Sequence, residues 1–266
     1  VMLRDLLESS EFKTHPSKIA FAAGRDIAGK VVVADIAKMP HVLIAGATGS
    51  GKSTTLATMV DYINEHRQCH ILTIEDPVEY RYTPKAATIR QREIGTDVKG
   101  FNYALRSALR ENPDVILVGE MRDFETIETA LTAAETGHLV LSTLHTIGAA
   151  STVDRVIDVF PPHQQQQIRV QLANVLEAVI SQQLVPLVGG KGRVAAFEVM
   201  HTNPAVRNLI REGKTHQLTS VMQTNRKAGM MTMDDALVQL HWDCKISQEM
   251  ALQFAQDQES IKNKLL

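Results

Sequence analysis

A chain of 266 residues that is 44% hydrophobic and 22% charged has the composition of an ordinary globular protein with a sizeable core. Its formal net charge of −2 excludes a protein that coats nucleic acid through bulk positive charge, although a local basic stripe stays open. The two cysteines, Cys69 and Cys244, lie far apart without CxxC or Cys/His spacing, which argues against a disulfide framework or a zinc site and for a reducing compartment.

The apolar runs, such as 31–33 and 115–118, are strand-length and well short of the roughly 20 residues that span a bilayer. The first residues show no basic start, apolar stretch and small-residue cleavage site. The expected location is therefore the cytoplasm.

Residues 2–12 are predicted to form a short amphipathic helix, with Leu3, Leu6 and Leu7 at helical spacing. Runs 18–23 and 30–36 read as two strands around a turn-prone stretch at 24–29, a β-hairpin. An alternation follows: strand 42–45, a Gly-rich turn, and a helix from 52 to about 66. Then come strand 70–74, helix 101–111, strand 115–118, helix 126–135 and strand 139–142. Buried strands alternating with helices predict an α/β fold with a mainly parallel sheet covered on both faces.

Past Pro161 and Pro162 the pattern predicts a long helix over 164–181, a strand over 193–200, and helices at 205–212, 217–225 and 233–242. The expected organisation is an N-terminal helix and hairpin (1–40), a sheet-forming core (41–203) and a C-terminal helical subdomain (204–266).

Gly46-Ala47-Thr48-Gly49-Ser50-Gly51-Lys52-Ser53 satisfies GxxxxGKS in full, after a strand and at the start of a helix. Glycines let backbone N–H groups turn inward around phosphates, and the helix N-terminus adds a favourable dipole. Lys52 would neutralise phosphate charge and Ser53 would bind Mg²⁺ through its hydroxyl. The loop residues together with Thr54 are the candidate ATP-binding set, and with the alternating sheet they predict a RecA-like P-loop NTPase fold whose ATPase core is 41–203.

Two predicted strands end in acids. Residues 115–118 lead through Gly119 to Glu120, and residues 71–74 lead to Glu75-Asp76-Pro77-Val78-Glu79. Beside one triphosphate, such acids would divide two tasks, organising the metal and polarising the attacking water, the second contributing roughly 10²- to 10⁴-fold. Glu120 is the candidate metal ligand alongside Ser53, and the choice of general base between Glu75 and Glu120 stays open.

His138 and His145 flank the strand-like run 139–144; on spacing alone a lone histidine is more often structural than catalytic. Arg90, Arg92, Arg106, Arg110 and Arg122 cluster around the acidic strands, where most such charges are solvated or paired and one would serve as a finger across a subunit boundary.

From about Ser53 onward, roughly four-fifths of the chain, the sequence resembles the type IV pilus retraction ATPase family of the secretion ATPase superfamily. The strings that carry the resemblance are Ile74-Glu75-Asp76-Pro77-Val78-Glu79-Tyr80, Phe101-Asn102-Tyr103-Ala104-Leu105-Arg106, DVILVGEMRD at 114–123, TGHLVLSTLHT at 136–146 and AVRNLIREGK at 205–214. The resemblance implies a homo-hexameric, Mg²⁺- and ATP-dependent motor at the cytoplasmic face of the inner membrane, with a membrane platform protein and the pilin fibre as partners. It also implies Glu75, Glu120 and His145 as catalytic residues and His138 as a nucleotide contact.

Residues 1–53 instead resemble the segment before the P-loop of FtsK/SpoIIIE-type DNA translocases, on the strings at 17–22, 24–30 and 33–41. The two resemblances meet inside Gly49-Ser50-Gly51-Lys52-Ser53, the pattern of a hybrid chain. A DNA translocase and an ATP-binding protein without turnover are therefore the alternative readings. DNA is not an expected partner, because no DNA-reading winged-helix module follows.

Overall fold

The computed structural model describes residues 20–25, 31–35 and 41–265. The helix expected at 2–12 lies outside the described residues. The hairpin reading is borne out at the level of backbone pairing: β1 (Ala20–Arg25) runs antiparallel to β2 (Val31–Asp35).

Seven further strands form one sheet. They are β3 (His41–Ala45), β4 (His70–Glu75), β5 (Thr88–Glu93), β6 (Val115–Val118), β7 (Leu139–Leu144), β8 (Ala178–Pro186) and β9 (Arg193–His201), in the order β5-β4-β6-β7-β3-β8-β9. Every neighbouring pair is parallel except β8 with β9. The mainly parallel α/β sheet is thus as expected.

Two strands were hidden in the sequence. The helix expected to run to 181 stops at Val175, and the chain turns extended at Leu176 before β8, which pairs directly with the P-loop strand β3. Strand β5 is a half-exposed edge with the sequence TIRQRE, too polar to read as a buried run.

The sheet buries both faces by the period-two rule, even where a strand is apolar throughout. Leu72, Ile74, Ile116 and Val118 face one cluster with Leu105, Ile127, Ile157 and Phe160. Their neighbours Ile71, Val115 and Leu117 face the other, with Leu56, Val60 and Ile63 from helix α1 (Lys52–His66). Each such Leu or Ile contributes roughly 1.5–3 kcal/mol by leaving water.

The outer ends of β8 and β9 supply Val185, Val194 and Ala196 to a third cluster with Met233, Leu237 and Ile261 from the C-terminal helices and Ile246 from the turn between two of them. Side-chain caps fix where helices begin: Asp123 accepts the N–H of Thr126, and Asn203 that of Val206. No helix among the described residues is long and apolar enough to cross a membrane.

Buried Glu198 on β9 joins two parts of the chain. One carboxylate oxygen accepts the N–H of Ala149 at 2.5 Å and the other that of Met233 at 3.1 Å, so one side chain holds the starts of two helices. Burial raises its pKa, against the pull of those two N–H groups.

Candidate functional site

The parallel strands β3, β4, β6 and β7 deliver their carboxyl ends to one edge of the sheet, the edge at which open α/β sheets bind ligands. The loop 46–51 leaves β3 there and enters α1. Gly46 is required by contact: a Cβ would stand 2.4 Å from the Ser50 hydroxyl and 2.6 Å from the Gln182 carbonyl oxygen. Helix α1 starts without a side-chain cap and with no acid in its first turn, so its N–H groups and positive dipole end stay available to an anion. The buried Ser50 hydroxyl likewise has no partner.

Lys52 is only 7% exposed, and its ammonium donates to the carbonyls of Gly46 at 2.5 Å and Ala47 at 3.2 Å. Burial lowers its pKa, while the charges of Glu120 and Glu79 act in the opposite direction. A cation buried against main-chain carbonyls is poised for a better anionic partner.

The P-loop strand and the acidic strand are not adjacent, because β7 lies between β3 and β6. Its end brings His145 into the gap. The His145 Nδ1 lies 3.5 Å from Lys52 Nζ and 3.4 Å from the Thr48 hydroxyl, and its Nε2 lies 3.5 Å from Glu120 Oε2. Glu120 Oε1 accepts from Arg122 Nε at 2.8 Å.

Glu75 stands at the end of β4, where its Oε1 accepts from the Thr73 hydroxyl at 2.6 Å and from Gln91 Nε2 at 3.2 Å. Burial raises its pKa, partly offset by those two donors. The strand ends that carry both acids are pressed together: Gly119 N–H donates to Ile74 O at 2.8 Å, and a Cβ on Gly119 would stand 3.3 Å from Glu75 Cα.

Residues 48–54, Glu75, Glu120 and His145 line one cavity of about 540 Å³. Of the expected set, Gly46 and Ala47 begin the same loop without lining the cavity, and His138 stands apart from it. His138 precedes β7 and sits at the opposite end of that strand, a six-residue span of roughly 20 Å. Its Nδ1 lies 3.0 Å from the Ala133 carbonyl oxygen, and it does not line this cavity.

Sequence reasoning missed several neighbours of the loop. The Tyr80 hydroxyl meets that of Thr54 at 2.7 Å, and Gln182 accepts from the Thr55 hydroxyl at 2.6 Å. Tyr80 lay in the acidic string, but Gln182 sits on β8, most of whose first half was hidden under the helix expected over 164–181. Arg193 also lines the cavity, from the start of β9.

The residues suit a nucleotide with its Mg²⁺. Among the described residues no group of three His, Cys, Asp or Glu could hold a metal by itself. Mg²⁺ bound through phosphates, however, asks of the protein only one or two oxygen ligands, which the Ser53 hydroxyl and Glu120 on the cavity wall would supply.

A family model described as "Type II/IV secretion system protein" matches residues 22–243. The match begins upstream of the phosphate loop, inside the segment whose strings resemble DNA translocases. The "Twitching motility protein" of Neisseria gonorrhoeae is 52% identical over 252 residues, 94% of this chain and 67% of that protein. The "Type IV pilus retractation ATPase PilT" of Pseudomonas aeruginosa is 51% identical over 252 residues, 94% of this chain and 72% of that protein. Among solved structures, the "Pilus Retraction Motor PilT and Bound ADP" superposes with a TM-score of 0.79 at 51% identity, covering 85% of this chain and 64% of that one.

Proposed function

Because the chain belongs to the Type II/IV secretion system protein family, we propose that it is the ATP-hydrolysing part of a motor subunit that withdraws pilin from a type IV pilus. The observation that carries this reading is the Lys52 ammonium, buried against its own loop, facing a cavity whose other wall holds Glu75 and Glu120.

Lys52 exchanges the carbonyls of Gly46 and Ala47 for the β- and γ-phosphates, and the N–H groups opening α1 take the remaining oxygens. Mg²⁺ supplies charge neutralisation on the transferred phosphoryl group. Ser53 and Glu120 are the residues that would hold it. Glu75 polarises the attacking water: burial has moved its pKa upward, toward the range that suits a base, whereas Glu120 lies beside Arg122 and His145. His145, touching both Lys52 and Glu120, reports whether the terminal phosphate is present.

The working assembly is a homo-hexamer at the cytoplasmic face of the inner membrane, with a membrane platform protein and the pilin fibre as partners. Residues 41–203 form the ATPase core and 204–266 a helical subdomain. Sequence identity near one half to two retraction and twitching proteins supports this reading.

The test is ATP hydrolysis by the purified chain with and without Mg²⁺, paired with sedimentation with and without ATP. Mg²⁺-dependent turnover by a ring-sized species is expected. A monomer that binds ATP tightly without hydrolysing it would overturn the motor reading, and salt-sensitive stimulation by double-stranded DNA would favour a translocase.

A further inference from the structure

Both hydrogen bonds to Glu75 converge on the same oxygen. The Thr73 hydroxyl and Gln91 Nε2 each donate to Oε1, and no group among the described residues is hydrogen-bonded to Oε2. The parallel register of β4 and β5 places Thr73 opposite Gln91, so the two donors approach the carboxylate from adjacent strands.

The Gln91 amide is fully engaged. Nε2 donates to Glu75 Oε1 and, at 2.8 Å, to the Tyr80 carbonyl, while Oε1 accepts the Tyr82 N–H at 3.0 Å. Only one amide orientation meets this pattern, because a flip would set its oxygen against a carboxylate and a carbonyl. The same side chain thus ties the loop after β4 to the acid at its base. That loop also reaches the nucleotide helix through Tyr80 and Thr54.

We propose that Gln91 is a positioning residue for hydrolysis: with Thr73 it holds Glu75 by Oε1 and reserves Oε2 for the attacking water. The inference rests on the reading of Glu75 as the water-polarising acid. It assigns Gln91 no contact with nucleotide, so its loss is felt in turnover and not in binding.

The test uses Gln91→Glu, which keeps an acceptor for the Tyr82 N–H but removes the donor to Glu75. Thr73→Val, nearly isosteric, removes the other donor and serves should Gln91→Glu fold poorly. Each is compared with the parent and with Glu75→Gln in steady-state ATP hydrolysis. The expected result is a kcat lower by about tenfold or more with KM for ATP within about twofold, a share of the roughly 10²- to 10⁴-fold that a positioned base supplies. Either change placed on Glu75→Gln should lower the residual turnover no further, because both act through that carboxylate.

If Glu75→Gln is inactive but Gln91→Glu and Thr73→Val hydrolyse ATP within twofold of the parent, the positioning role is overturned and the reading of Glu75 stands. A rise in KM that matches the fall in kcat/KM would also overturn it, making Gln91 a loop anchor for nucleotide. Normal turnover by Glu75→Gln would overturn the underlying reading and this inference with it.

Discussion

His145 meets Glu120 across the end of the sheet, Nε2 to Oε2 at 3.5 Å, while its other ring nitrogen faces Lys52 at the same distance. One imidazole therefore stands between the Lys52 ammonium and the acid of the neighbouring strand. A group so placed can register the terminal phosphate and pass the change to the acid. His145→Ala is expected to lower kcat by roughly 10- to 100-fold while ATP and ADP bind with nearly parental affinity. Parallel titrations of binding and turnover check this.

Glu120→Gln keeps the size of the side chain and removes its charge. Mg²⁺–ATP should still bind, with turnover falling by roughly 10²-fold or more. The variant should accumulate bound ATP rather than ADP, which rapid quench and chromatography of the bound nucleotide reads directly.

Gly119→Ala tests whether the close approach of β4 and β6 sets the two acids. The added methyl would stand 3.2 Å from Ile74 O, a main-chain atom that cannot rotate away. Overpacking of this kind costs about 1–3 kcal/mol in stability, measurable as a lower denaturation midpoint at unchanged m-value. Activity should fall by more than stability alone explains, since the shift acts on Glu75 and Glu120 together.

Folding stability should carry a pH signature from His41. This residue at the start of β3 is buried, and its Nδ1 accepts the Val140 N–H at 3.3 Å. Burial lowers its pKa from 6.5 to about 4, the Ala134 main-chain contact opposing that shift. The unfolded chain then binds the proton more readily than the native one. The contribution is whole above pH 6.5 and is lost as pH falls from there toward about 4, at most about 3 kcal/mol. Denaturant unfolding of the parent and His41→Leu between pH 7 and pH 4 should show a shallower acid decline in the variant.

The candidate phosphate loop was legible because the chemistry asked of it fixes the order of its residues: glycines for the turn, then Lys52, then Ser53, between a strand and a helix. Residues 115–118 and 233–242 were equally plain, the first a short apolar run, the second opened by the Thr232 cap. Strand β8 was hidden because no Gly or Pro separates it from the Gln-rich helix ahead, which ends only where Leu176 turns extended. Strand β5 was hidden because an edge strand can be half polar, and it carries Gln91, invisible as a partner of Glu75 until the register of β4 and β5 is known. His138 and His145 share one motif, but the strand between them sends them to opposite ends of the sheet.

The most direct measurement is ATP hydrolysis by Lys52→Ala under conditions where the parent chain turns over. Removing the ammonium that Gly46 and Ala47 now hold should abolish Mg²⁺-dependent turnover, while the fold persists by circular dichroism. Hydrolysis at the parental rate would mean that phosphate is bound elsewhere, and the cavity between Lys52, Glu75 and Glu120 would lose its assignment.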